Sequence, residues 1–404
     1  MHLSLVGDVC LEKKAIAFDF KEVLHPHQGF AIGNLETPLA PEGASKRPKA
    51  GPNMKGQLER LKNLHEHYPN WVFTIANNHA MDYGAEGIVY TQQHCQNFSF
   101  RCLGAGNTLN DAKSPLFLEQ DGIRVGILAR CETQFGAASA SSAGVATLDS
   151  HFYQEVQKLK GECDILLLSI HAGAEICAWP SPQWQNRFRS LIDAGADVIH
   201  GHHAHVPQGY ETYNNGFIYY GLGNFIANPK LWSRHANGTW SIVPTLSIEN
   251  NQLSHSVKTI VLESQEDKVF VRVSTPEEAQ KHQRYLDQCN APLENLEFLE
   301  SVWQEASVQM YKSFYGDYLE FAKSERQTKF RLVPFARKHL GRLKRQLTNS
   351  PSQRQLLLWY HLFACETHRD VIATALGVLS GELEDKRSEQ SQIMVKEMMP
   401  RLVV

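Results

Sequence analysis

The chain has 404 residues, of which 42% are hydrophobic and 21% charged, as is typical of a globular protein with two or three domains of roughly 150 residues each. A net charge of −3 gives no electrostatic reason to bind nucleic acid, so we predict no nucleic-acid partner. Eight cysteines without a C-x-x-C pair, no signal-peptide pattern and no run of roughly 18 apolar residues lead us to expect a cytoplasmic protein with reduced thiols.

Short apolar runs alternate with helical patterns up to residue 226. The predicted strands are 2–9, 30–35, 71–76, 123–129, 164–170, 197–199 and 217–222. Helical spacing falls between several of them, at 57–66, 85–96 and 182–194. This alternation predicts an α/β domain whose helices cover the faces of its sheet.

The pattern changes twice in the second half of the chain. From residue 240 to 274 apolar and polar residues alternate between turn-like breaks, which predicts antiparallel hairpins. After Thr275-Pro276 the chain has helical spacing over 276–288, 291–316, 318–322 and 353–383. We therefore predict two domains, 1–274 and an all-helical region 275–404. The last twenty residues are polar and mixed in charge, so we expect their end to be frayed.

One segment with helical spacing, 323–345, carries nine lysines and arginines among phenylalanines and leucines. Basic amphipathic helices can lie on anionic membrane surfaces. A charged, solvated face of a helix that packs on the α/β domain gives the same pattern, and we favour that interpretation. Membrane contact is then at most peripheral.

Metal-ligand side chains stand where several predicted strands end, which is where open α/β sheets place their sites. Five strand ends carry them: Asp8, Glu36, Asn78 with His79, His171, and His203 with His205. A lone aspartate in such a place is more often a turn or a helix cap. Five strand ends with such residues in one domain favour a metal site over coincidence. We predict that His200 and His202 are structural, and that His203 and His205 share one face of an extended strand.

Two divalent ions about 3.5–4 Å apart can hold a phosphoryl oxygen and activate the water that attacks it. A carboxylate bridges such ions, and here Glu36 or Asp8 can do so. His171, His203 and His205 suit terminal positions, while Asn78 offers a neutral oxygen, a mixture that Mn²⁺, Fe²⁺ or Zn²⁺ accepts. His79 is then available as the general acid that protonates a leaving group.

The strand-end motifs also carry a family resemblance. The segments GDV, GNLETPL, IANNHAMDYG, GAGNTLNDAKSP, SIHAGAE and ADVIHGHHAHVPQGYETYNNGFIYYGLGNFI occur in this order within residues 2–262. Together they resemble the bacterial capsule-synthesis CapA family, also called the poly-γ-glutamate synthesis PgsA-type proteins. The resemblance implies a calcineurin-like metallophosphoesterase fold, a four-layer α/β/β/α sandwich.

The resemblance assigns a role to each matching residue. It makes Asp8 the first metal aspartate, Glu36 the bridging carboxylate, and Asn78-His79 the pair of ligand and acid. His171, His203 and His205 become the later metal ligands. Asp82 and Glu175 fall at family-typical positions, where we predict that they orient substrate or support the ligands.

Two positions depart from ordinary calcineurin-like enzymes. Cys10 replaces the histidine that follows the first aspartate, and we predict a buried neutral thiol there. Glu36 replaces an aspartate and is one methylene longer. One or two ions are therefore expected.

The leading hypothesis is a metal-dependent phosphoesterase that acts on a phosphorylated or polymeric substrate in capsule polysaccharide or poly-γ-glutamate synthesis. A non-catalytic polymer-binding or assembly subunit, docking on other synthesis proteins through the helical region, is the alternative. Hydrolysis of an amide bond in a glutamyl polymer, by the same metal-activated water, is a third possibility.

Overall fold

The computed structural model describes residues 1–12, 15–18, 20–24, 29–134, 136–249, 252–266, 268–324 and 352–401. Its strands are β1 (His2–Val9), β2 (Ala15–Phe18), β3 (Gly29–Leu35), β4 (Trp71–Thr74), β5 (Arg101–Leu103), β6 (Ala105–Gly106), β7 (Leu116–Gln120), β8 (Ile123–Cys131), β9 (Gly144–Val145), β10 (Ile165–His171), β11 (Val198–His202), β12 (Tyr210–Tyr213), β13 (Gly216–Tyr219), β14 (Asn224–Ile226), β15 (Trp240–Glu249), β16 (Gln252–Gln265) and β17 (Lys268–Val273).

The helices alternate with strands in the first part of the chain and follow one another after Val273. They are α1 (Phe20–Val23), α2 (Leu58–His67), α3 (Gly84–Asn97), α4 (Leu109–Lys113), α5 (Phe152–Lys160), α6 (Pro182–Asp193), α7 (Pro229–Trp232), α8 (Pro276–Asn290), α9 (Leu296–Met310), α10 (Gly316–Ser324), α11 (Gln353–Ala364), α12 (Glu366–Ser380) and α13 (Glu389–Met398). A 3₁₀ turn (Ala291–Glu294) precedes α9 and a π-helical turn (Tyr311–Tyr315) follows it.

The first sheet has the strand order β2-β17-β16-β15-β1-β3-β4-β5, and β14 also pairs with β1. Strand β1 is buried and runs parallel to β3 and β14, which explains its nearly continuous apolar sequence. Strands β15, β16 and β17 pair antiparallel, which confirms the hairpins predicted from their alternating sequence.

The second sheet has the order β12-β13-β11-β10-β8-β7, with β10 buried and parallel to both of its neighbours. Hydrogen bonds join the two sheets face to face. Nε2 of His200 donates to the carbonyl of Val6 at 2.9 Å, and the Ser169 hydroxyl donates to Thr74 Oγ1 at 3.1 Å. His200 therefore has the structural position that the sequence predicted.

Helices cover the outer sides of this pair of sheets. Helices α2 and α3 contact the first sheet, whereas α5 and α6 contact the second. The predicted four-layer α/β/β/α sandwich with a helical extension is therefore confirmed.

The helical extension, which we define as residues 276–401, begins at a capping box. The Thr275 hydroxyl accepts a hydrogen bond from the backbone N–H of Glu278, and the Glu278 carboxylate accepts one from the backbone N–H of Thr275. Pro276 occupies the first turn. Helix α9 is the centre of the extension, because α12 and α13 pack against it and α6 of the sandwich contacts it. One hydrophobic cluster includes Phe188 of α6 and Leu299 of α9, and the division into two domains stays a prediction.

One expectation about the extension was wrong. The helical pattern over 353–383 is broken at Cys365, whose extended backbone separates α11 from α12. Helix α13 buries Val395 and Met398 on the extension, and the fraying predicted for the chain end stays a prediction because residues after 401 lie outside the described part. The basic segment 323–345 lies outside the described residues from 325 onward. None of the described helices is both long and apolar enough to cross a membrane.

Candidate metal centre

Polar side chains converge where the parallel strands of both sheets end. Asp8 lies near the end of β1, Glu36 directly follows β3, and His171 ends β10, all of them buried. Ligand atoms of these three residues lie within 4.8 Å of one another, and we call them the first cluster.

The amide of Asn34 sits among the members of the first cluster. Its Nδ2 donates to Asp8 Oδ1 at 2.8 Å and to Glu36, and it lies 3.3 Å from Nδ1 of His171. Asn77 in turn donates to Asn34 Oδ1 at 2.9 Å, which fixes the orientation of the amide. Sequence reasoning missed Asn34, although it stands in the same strand-end motif as Glu36.

A second cluster lies beside the first. Glu175, His203 and His205 bring ligand atoms within 4.8 Å of one another. The side chain of Glu175 is 50% exposed, so this cluster opens to the cleft. Glu175, predicted as a supporting residue, is thus placed where it can itself hold a cation.

Asp8 connects the two clusters. Its Oδ2 lies 3.2 Å from Nδ1 of His205, and its Oδ1 lies 3.3 Å from Nδ1 of His202. Burial acts to raise the pKa of the Asp8 carboxyl, but these two imidazoles outweigh it and hold the pKa well below its usual range. The same contact raises the pKa of His205 to about 10 against the effect of burial.

Two buried atoms in the clusters have no hydrogen-bond partner among the described residues: Glu36 Oε1 and His203 Nδ1. Burial and the charge of Asp8 raise the pKa of Glu36 to about 8. Unsatisfied buried polar atoms are rare, and a divalent cation satisfies carboxylate oxygen and imidazole nitrogen together. The residues present therefore fit a divalent metal.

The loop after β11 holds its histidines differently from the prediction. The strand ends at His202, and His203 and His205 adopt left-handed backbone conformations with φ of 85° and 57°. The expected shared strand face is therefore wrong. Left-handed backbone is unfavourable for residues other than glycine, and such strain is concentrated at functional sites. His202, predicted as purely structural, contacts both Asp8 and Ser169.

Asn78 and His79 border the first cluster. Oδ1 of Asn78 lies 3.2 Å from Nε2 of His171. Nδ1 of His79 lies 2.8 Å from Oδ2 of Asp82, which leaves Nε2 facing Glu36 Oε1 at 3.9 Å.

The Asp82 carboxylate is itself held in place. It accepts a hydrogen bond from the backbone of Met54 at 2.6 Å and forms an ion pair with Lys49. Burial lowers the pKa of His79 in spite of the nearby Asp82 carboxylate. Asp82 therefore orients the ring of His79, and its role in orienting substrate or supporting the ligands stays a prediction.

Cys10 belongs to neither cluster. Its thiol is buried beside Ala227 and Leu262, and burial, reinforced by the charges of Glu36 and Asp8, raises its pKa well above the usual value. A thiol that stays protonated is a poor metal ligand.

The clusters open into a cavity of about 990 Å³. Asn78, His79, Glu175 and His205 line its inner side. Part of the opposite wall comes from the helical extension, through Asp317, Tyr318, Arg354, Leu358 and His361. The extension therefore takes part in shaping the cleft, which sequence patterns did not indicate.

Sequence comparison identifies relatives of this chain. Residues 2–229 match the family described as bacterial capsule synthesis protein PGA_cap. The capsule biosynthesis protein CapA of Bacillus anthracis is 31% identical over 214 residues, which cover 51% of this chain and 52% of that protein. The PGA biosynthesis protein CapA of Bacillus subtilis is 30% identical over 249 residues, covering 58% of this chain and 65% of that protein.

Both matches span between about half and two thirds of the relative's own length. Among solved structures, a putative 5'-nucleotidase from Staphylococcus aureus in complex with alpha-ketoglutarate aligns with a TM-score of 0.39 and 15% identity over 71% of this chain and 58% of that one. The family match includes every strand-end residue from Asp8 to His205. The chain therefore belongs to the bacterial capsule synthesis protein PGA_cap family.

Proposed function

We propose that this chain is a metal-dependent phosphoesterase that acts in the synthesis of a bacterial surface polymer, either capsule polysaccharide or poly-γ-glutamate. The observation that carries the proposal is the pair of ligand clusters joined through the contact of Asp8 with His205. Family membership and the printed names of the relatives support the polymer as the biological context.

The residues divide into two candidate positions for divalent ions. Asp8, Glu36 and His171, with Asn78 beside them, would hold one ion. Glu175, His203 and His205 would hold another. Divalent ions at such a site supply electrostatic stabilisation of a phosphoryl group and acidify a water molecule.

The protein's own groups then orient the substrate and move a proton. Nε2 of His79 faces the first cluster, and it is the atom that would carry a proton to the leaving oxygen. Asp82 holds the other ring nitrogen, so the ring keeps its orientation, and Lys49 balances the charge of Asp82. The cavity is wide enough for a substrate larger than a simple phosphate ester.

Assays of the protein loaded with Mn²⁺ on p-nitrophenyl phosphate and bis(p-nitrophenyl) phosphate test the proposal. We expect Asp8→Ala to abolish turnover and His79→Ala to lower kcat roughly 10²–10⁴-fold. The exposed His151 lies away from the clusters, so His151→Ala is the matched control. Equal rates for all four proteins would rule out catalysis by this site.

Two further measurements separate the competing functions. Metal analysis after stringent purification distinguishes an enzyme, which retains transition ions, from a polymer-binding subunit that holds none. Parallel incubation with phosphate esters and with poly-γ-glutamate distinguishes phosphoester from amide hydrolysis. Pull-down of surface-polymer synthesis proteins with the full-length chain and with its Tyr360→Ala, Phe363→Ala double variant, which changes two exposed aromatic residues of α11, tests the helical extension as their docking region.

A further inference from the structure

A buried carboxylate joins the helical extension to the candidate metal centre. Glu132 directly follows β8 and is completely buried. Its Oε2 accepts hydrogen bonds from the backbone N–H of Thr367 at 3.1 Å and from the Thr367 hydroxyl at 2.6 Å. Its Oε1 accepts one from the thiol of Cys365 at 3.3 Å. These donors all come from the start of α12.

The other side of the same carboxylate faces the second cluster. Oε1 of Glu132 lies 3.9 Å from Nε2 of His203, and Oε1 of Glu175 lies 4.0 Å from that same nitrogen. At these distances neither carboxylate is hydrogen-bonded to His203, so both act on its ring as neighbouring charges. Nδ1 of His203 is buried and has no hydrogen-bond partner among the described residues. Groups that neighbour a metal-binding histidine tune its affinity for the metal.

The break between α11 and α12 makes this arrangement possible. A continuous helix would direct the backbone N–H of Thr367 into the preceding turn, whereas the extended Cys365 leaves that N–H for Glu132. A carboxylate buried without donors is costly, so Glu132 depends on the docked extension.

We propose that the start of α12 positions the second metal cluster: Thr367 and Cys365 hold Glu132, and the Glu132 carboxylate constrains the neighbouring ring of His203. This inference rests on the proposed metal site. Thr367 and Glu132 are positioning residues, because they act on the ion through His203. The helical extension is then a structural part of the metal centre, in addition to forming a wall of the cleft.

Isothermal titration of the metal-free full-length protein with Mn²⁺ tests this inference. We expect Thr367→Val to weaken one of two binding events roughly tenfold or more, as changes beside metal-binding histidines do. Thr367→Ser keeps the hydroxyl and should restore wild-type affinity. Wild-type affinity for both ions in Thr367→Val would overturn the inference.

A matched control separates metal positioning from helix packing. The Thr367 hydroxyl also accepts a hydrogen bond from Trp184 Nε1 at 3.1 Å. Trp184→Phe removes that bond and part of a buried ring but leaves the contacts of Glu132 in place, so it should lower the melting temperature of the metal-free protein and leave both Mn²⁺ affinities unchanged. Weakened Mn²⁺ binding in Trp184→Phe equal to that in Thr367→Val would contradict a specific role for Glu132.

Glu132→Gln is the second variant if Thr367→Val does not fold, and it should also weaken one Mn²⁺ site. The titration remains informative if catalysis is absent. A wild-type protein that binds two ions but hydrolyses no ester would refute the phosphoesterase and leave this inference standing. A wild-type protein that binds no ion would overturn both.

Discussion

The carboxylate of Asp8 lies 3.2 Å from the imidazole of His205. Asp8 belongs to β1 of the first sheet, whereas His205 lies in the loop after β11 of the second sheet. The backbone N–H of His203 also donates to Asp8 Oδ2, at 3.4 Å. Asp8 thus holds the left-handed loop after β11 against the end of β1. Asp8 belongs to the first ligand cluster and contacts two residues of the second, so the loss of Asp8 should affect both.

Asn34 should control metal affinity without being an obvious ligand. Asn34→Leu preserves the branched shape of the side chain but removes the amide that contacts Asp8, Glu36 and His171. We expect Mn²⁺ affinity to fall roughly 10–100-fold by titration. Asn70→Ala removes a partly buried hydrogen bond from the side-chain amide to the carbonyl of Gly29, at the far end of β3, and should leave the Mn²⁺ affinity unchanged. Unaltered binding in Asn34→Leu would contradict this role.

Asp82 should matter most when the leaving group is poor. Asp82→Asn removes the charge that orients His79, so proton donation by His79 becomes less effective. We expect kcat to fall more for an alkyl phosphate than for p-nitrophenyl phosphate, whose leaving group needs little protonation. An equal loss on both substrates would indicate that Asp82 serves folding or metal binding instead.

The contact between α8 and the first sheet should depend on pH. His282 stacks on Trp240 with ring centroids 3.9 Å apart, and its Nδ1 lies 3.2 Å from the Ser274 hydroxyl. Burial lowers the pKa of His282 to about 4, although the charge of Glu278 opposes the shift. Between that value and about 6.5 the unfolded chain binds a proton that the folded chain does not.

The stability that the buried neutral His282 contributes is fully present above about pH 6.5 and is lost as the pH falls toward 4. His282→Phe retains the stacking and cannot ionise. Urea unfolding at pH 7 and at pH 5 should show the wild type losing on the order of 2 kcal/mol more than the variant. The same loss in both proteins would assign the acid sensitivity to other groups.

The helical extension should unfold together with the sandwich. Leu299 of α9 is completely buried in a hydrophobic cluster that also contains Phe188 of the sandwich. We expect Leu299→Ala to cost about 2–5 kcal/mol and to move a single denaturation transition. Leu296 lies on the same helix and is 46% exposed, so Leu296→Ala should have a small effect. A separate early transition in Leu299→Ala would instead support two independent domains.

The sequence alone determined the layered α/β fold, the hairpins after residue 240, the family, and the residues at the strand ends. It could do so because these features depend on local periodicity and on ligand types that stand in short motifs. The same strand-end rule, applied to Cys131-Glu132, would also have indicated Glu132.

Only the tertiary structure decided how these residues contact one another. The amide of Asn34 contacts the candidate ligands only because Asp8 and His171 approach it from other strands. The predicted helix over 353–383 breaks at Cys365, where α12 donates its first hydrogen bonds to Glu132 of the sandwich. Such contacts join segments far apart in the chain, and local propensity carries no information about them. The metal-ligand types were therefore evident from the sequence, whereas the residues that hold them in place depended on how the sheets and the helical extension pack.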